Sequence, residues 1–209
     1  EVVNERLSLW TVSEVAQAIN SAVQRGARVI NCSWGWEAWN ETLRNTFMAA
    51  HNADVLIVVA GPEIGATWPW PTDFGSFMHN VSATDWTDDT ANYVTATHFY
   101  DLSAPGGEQT GHIFSDIYTT NSDGGWRYTR GTSFAAPHVT GLAGLMLAVN
   151  PNLHNYDIEW IQKKTSDHQG SYPIEYYGRG RLNANKSLEV LQSPYEFSQG
   201  SANLTKIYD

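Results

Sequence analysis

At 209 residues the chain is long enough for one domain with a sizeable core. Its 42% apolar and 16% charged content is that of a globular protein and excludes a disordered one. A net charge of −10, with 12 Lys and Arg that do not cluster, excludes nucleic acid as a partner.

The first pattern is helical. Val12, Val15, Ala16, Ala18, Ile19 and Val23 recur at helix spacing and predict a helix over 11–26. Thr11 or Ser13 caps it and Gly26 stops it. A strand over 27–32 follows, broken by Ser33-Trp34-Gly35-Trp36. Leu43, Phe47, Met48 and Ala50 mark a second helix. The run 54–61 is apolar without alternation, the mark of a strand covered on both faces. Strand–helix–strand order then predicts βαβ units and an α/β fold: a three-layer, mainly parallel sheet with helices on both faces. Residues 62–78 read as loop. Short strands are predicted over 81–84 and 101–104, and a hairpin-like pair over 113–118 and 126–129. A helix buried all round follows, apolar on every side and ended by Asn150-Pro151. A short helix over 157–164, a turn over 176–183 and a last helix to about Leu191 complete the domain, 1–192. Residues 193–209 read as a tail or the start of a following segment.

No apolar stretch spans a bilayer: 55–61 is of strand length, and 135–149 is short and carries His138 and Thr140. The single Cys32 permits no disulfide within the chain, which suits both cytosolic proteins and secreted enzymes built without disulfides. Few Lys, many aromatics and a low pI point to a secreted, extracellular enzyme. The first residue is Glu and no signal peptide is visible, so the natural chain is expected to begin upstream.

The chemistry concentrates at Gly131-Thr132-Ser133-Phe134-Ala135-Ala136-Pro137-His138-Val139-Thr140-Gly141. Thr132 and Ser133 suit a helix cap. A serine there also lies beside unpaired N–H groups and the positive end of the helix dipole, a place suited to a nucleophile. The spelling Gly-Thr-Ser-x-Ala-x-Pro-x-Val-x-Gly resembles the active-serine motif of the subtilisin-like serine proteases. Asn31-Cys32-Ser33-Trp34-Gly35, Asp101-Leu102-Ser103-Ala104-Pro105-Gly106 and Tyr177-Gly178-Arg179-Gly180-Arg181-Leu182-Asn183 resemble further motifs of that family, in its order.

The resemblance implies a serine endopeptidase acting on protein or peptide substrates, with Ser133 as nucleophile. It implies that Ser33, Trp34, Gly35, Gly61 and Thr132 bind substrate. It calls for no redox or organic cofactor; calcium is a family option, with Asp101 a candidate ligand that equally suits a turn.

Two departures stand out. The Asp-Thr/Ser-Gly and His-Gly-Thr-His motifs of the family are absent. His51, His79, His98 and His112 precede Ser133, but none is followed by Gly-Thr, and they read as surface or locally hydrogen-bonded residues. The triad's Asp and His are therefore expected upstream, which makes the chain the C-terminal two-thirds of a catalytic domain and inactive alone. Pro62 stands where the family has the Asn that donates to the oxyanion, and proline has no such donor. The alternative is a non-catalytic, protease-like peptide-binding module. On the specificity side, Trp36 is expected to narrow the pocket, and Glu63 at its rim to tolerate a basic residue.

Overall fold

The computed structural model describes residues 10–35, 40–65, 74–108, 115–167 and 173–192. Helix α1 (Val12–Gln24) opens on a capping box. Thr11 Oγ1 accepts from the Glu14 N–H at 3.2 Å, and the Glu14 carboxylate accepts from the Thr11 N–H at 2.7 Å. Strand β1 (Val29–Cys32), helix α2 (Glu41–Asn52) and strand β2 (Leu56–Ala60) follow. Then come β3 (His79–Thr84), β4 (Leu102–Pro105) and a hairpin of β5 (Ile117–Thr120) and β6 (Trp126–Thr129). Helices α3 (Thr132–Val149), α4 (Asn155–Thr165), α5 (Ile174–Tyr177) and α6 (Ala184–Gln192) complete the order.

Strands β1 to β4 form one parallel sheet in chain order. Successive residues of a strand point to opposite faces, so an all-apolar strand supplies two cores. On β2, Leu56 and Val58 join Ala135, Val139, Leu142 and Met146 of α3 and Ile158 and Ile161 of α4. The alternate residues Ile57 and Val59 join Val15, Ala16 and Ile19 of α1 and Leu43 and Phe47 of α2. The result is the three-layer α/β arrangement, with helices on both faces. Each fully buried Leu, Ile or Met contributes about 1.5–3 kcal/mol relative to exposure.

Two expectations need correction. Helix α3 is not buried all round: Pro137, His138, Gly141, Gly144 and Leu145 face outward, Leu145 at 54% exposure. Apolar residues on every side of a helix cannot say which sides find a neighbour. At 18 residues α3 also has the length and composition of a short membrane span, yet it packs its buried face on the sheet. The segment read as a turn at 176–183 begins inside α5, a single turn started by Pro173 and closed by Gly178 at φ 67°.

Candidate active site

In a parallel sheet the strands' C-terminal ends share one edge, and α3 begins beneath it. Gly131 is the N-cap of α3, at φ 143° and ψ 154°, a conformation essentially reserved for glycine. It offers no side-chain cap, and the first N–H of the helix finds its partner on another element. The Thr132 N–H donates to the Glu63 carboxylate at 2.8 Å, and Thr132 Oγ1 donates to the Gly61 carbonyl at 2.7 Å. Thr132 is therefore the first helical residue and a tether to the end of β2, not a cap. Ser133 is the second, and its Oγ donates to the Ser33 carbonyl at 3.2 Å. The Ser33 hydroxyl in turn donates to the Ser133 carbonyl at 2.8 Å. The Ser133 N–H has no partner among the described residues.

Of the residues expected around the nucleophile, the fold brings Ser33, Gly61 and Thr132 together with it. Gly61 is a matter of space: a Cβ there would meet the Tyr100 ring at 2.1 Å. Gly35 is half-buried in the loop after β1. Trp34 packs its indole on Phe47 of α2, with ring centroids 6.0 Å apart, and so supports the core beneath the loop. The Pro62 carbonyl accepts from the Thr95 N–H and the Tyr100 hydroxyl, both at 3.1 Å. Glu63, expected at the rim of the pocket, turns inward to Thr132, because the first N–H groups of a helix draw a carboxylate. Trp36 and His112 lie outside the described residues.

His51, His98 and His138 each have a local role. His51 Nδ1 sits 3.2 Å from the Asn155 amide, His138 Nδ1 lies 2.9 Å from the Phe134 carbonyl on the exposed side of α3, and His98 is 83% exposed beside Glu175. His79 and Asp101 form a pair at 3.7 Å that the sequence did not single out. The pair is far from the nucleophile. His79 is in register with Val58, three residues before Gly61, or about 10 Å along the strand. It is fully buried, and its Nε2 is held by Gln162 Oε1 at 3.0 Å. A general base needs hydrogen-bond reach of the proton it takes, directly or through one water.

Asp101 was also the candidate calcium ligand. With His79 and Glu159 it forms a group whose ligand atoms lie within 4.8 Å of one another. The place for a cation is filled from within the chain. Lys163 Nζ lies 3.1 Å from Asp101 Oδ1 and 2.5 Å from Glu159 Oε1, and Asp101 Oδ2 accepts from the Asn80 N–H at 2.8 Å. Burial alone raises the Asp101 carboxyl, but His79, Lys163 and the Asn80 N–H outweigh it and leave it below the ordinary value. Burial lowers the Lys163 ammonium, and the two carboxylates reverse this and hold it above the ordinary value. Asp101 does not fit a calcium ligand here; it anchors β4 and α4 to each other.

Comparison with known proteins identifies the family and the fold. The sequence matches the subtilase family over residues 7–180. It is 31% identical to thermitase of Thermoactinomyces vulgaris over 186 residues, covering 89% of this chain and 62% of that protein. It is 31% identical to subtilisin Savinase of Lederbergia lenta over 175 residues, covering 83% of this chain and 61% of that protein. A solved protease of Pseudoalteromonas arctica superposes with a TM-score of 0.77 at 25% identity, over 87% of this chain and 59% of the other. The prenylagaramide maturation protease superposes at 0.76 with 21% identity, over 91% and 70%, and so shares the fold. The chain thus spans about three-fifths of the length of these two curated relatives, and with motif order, sheet and serine-bearing helix all in agreement it belongs to the subtilase family.

Proposed function

We propose that this chain is the nucleophile-bearing part of a subtilisin-like serine endopeptidase. Ser133 attacks the scissile carbonyl, an upstream His takes its proton, and an upstream Asp orients that His. The observation that carries this reading is the state of Ser133. It sits at the positive end of a core helix with its N–H unpartnered among the described residues, and its hydroxyl proton points at a carbonyl, not at a base. A carbonyl cannot accept that proton in catalysis. The attacking serine needs the base, and its unpartnered N–H would donate to the oxyanion. Strand β1, an edge of the sheet among the described residues, offers a side on which upstream strands can pair. The substrates are proteins or peptides and the setting is extracellular. The reaction draws on no redox or organic cofactor.

A serine-directed phosphonate tests this. The chain alone should not label. Adding a polypeptide that carries the upstream Asp and His should allow labelling at Ser133. Efficient labelling of the chain alone refutes the upstream base. Failure to label with the upstream part present favours the second reading, a peptide-binding module. Pro62 favours that reading, since its position supplies no donor and its carbonyl is already engaged.

A further inference from the structure

Pro137 lies inside α3, six residues in, where a proline normally costs stability. A proline has no N–H, so the carbonyl four residues earlier loses its intrahelical donor. That carbonyl belongs to Ser133. The Ser33 hydroxyl supplies the missing bond at 2.8 Å from the end of β1. Ser33 is itself oriented: Asn31 Nδ2 donates to Ser33 Oγ at 2.8 Å, and Thr140 Oγ1 donates to Asn31 Oδ1 at 2.9 Å. A chain of side chains thus runs from the third turn of α3 through β1 and back to the first turn of α3.

We propose that Ser33 is a positioning residue for Ser133, and that Pro137 creates the vacancy it fills. The two distant motifs that carry Ser33 and Pro137 are then halves of one device. Its hydroxyl fixes the Ser133 backbone, and its carbonyl fixes the Ser133 hydroxyl at 3.2 Å. This gives Ser33 a role through its side chain that does not depend on substrate. Only its catalytic consequence rests on the reading of Ser133 as nucleophile.

A double-mutant cycle on the whole chain decides the matter without activity. Ser33→Ala removes the donor and should lower the thermal midpoint by about 2–4 °C. Pro137→Ala restores an N–H to the Ser133 carbonyl. In that background Ser33→Ala should cost less than about 1 °C. Ser33→Thr keeps the hydroxyl and should stay near wild type. Pro137 is exposed, and alanine suits a helix interior, so the background variant should fold. Equal losses from Ser33→Ala in the two backgrounds overturn the proposal, as does failure of Ser33→Thr to rescue.

With the upstream part present, Ser33→Ala should lower the maximal phosphonate labelling rate by roughly tenfold and leave the half-saturating concentration unchanged. Pro137→Ala should recover most of that loss. A rise in the half-saturating concentration with the maximal rate unchanged would return Ser33 to substrate binding alone. If nothing labels, the reading of Ser133 has failed, and the thermal cycle still decides the device.

Discussion

Gly131→Ala should destabilise the chain while Gly141→Ala, ten residues further along, should do the opposite. Gly131 sits at φ 143° and ψ 154°, where an L-residue is strained by about 1–3 kcal/mol. Its new Cβ would lie 3.0 Å from Glu63 Oε1 and 3.4 Å from the Phe134 ring. The carboxylate must retreat, which weakens its 2.8 Å bond to the Thr132 N–H, a charged hydrogen bond worth about 1.5–3 kcal/mol. Partial relaxation places the sum at about 2–4 kcal/mol. Gly141 is helical and exposed, and a Cβ there meets nothing within 4 Å. Alanine should add about 0.5–1 kcal/mol by reducing the freedom of the unfolded chain. Urea denaturation of both variants should show midpoints moving in opposite directions at constant slope. A Gly131→Ala midpoint at or above wild type would refute the account of the helix start. A lowered Gly141→Ala midpoint would mean that another surface covers the outward face of α3.

Lys163→Met should remove the counter-charge from Asp101 and cost about 2–3 kcal/mol at neutral pH, less than a fully buried pair because Lys163 is 26% exposed. The pH profile of unfolding checks its sign. The depressed Asp101 contributes stability above the unfolded carboxylate range, lost as pH falls through its folded value; the raised Lys163 contributes below the unfolded lysine range, lost as pH rises through its own. The variant should lose the alkaline decline that Lys163 contributes. Cys32 is 1% exposed and its thiol is pushed up to about 12 by burial, so a thiol reagent should react only at the rate of unfolding, and fast native-state reaction would contradict that burial. In a complete enzyme, Pro62→Asn should raise turnover, by at most the ~10²–10³-fold measured in subtilisin itself for loss of that donor; an unchanged rate with the fold intact means another donor already serves.

The sequence by itself determined the layers and the family. The unbroken apolar run of β2 demanded a sheet covered on both faces, and helix spacing in α1 and α2 placed one covering layer. The motif around Ser133 identified the nucleophile candidate because its spelling is specific along the chain. What only the tertiary structure decided are relations between segments far apart in sequence. Glu63 reaches Thr132, and Lys163 fills the space between Asp101 and Glu159. The outward face of α3 is another such case, since its composition matches that of the buried face. Asn31, Ser33, Pro137 and Thr140 are each legible as letters of two motifs. Their connection is not, because a hydrogen bond between the end of a strand and a helix one hundred residues later exists only once the sheet has brought both to one edge. Local spacing encodes which way a residue faces along its own element; which partner it then meets is set by packing.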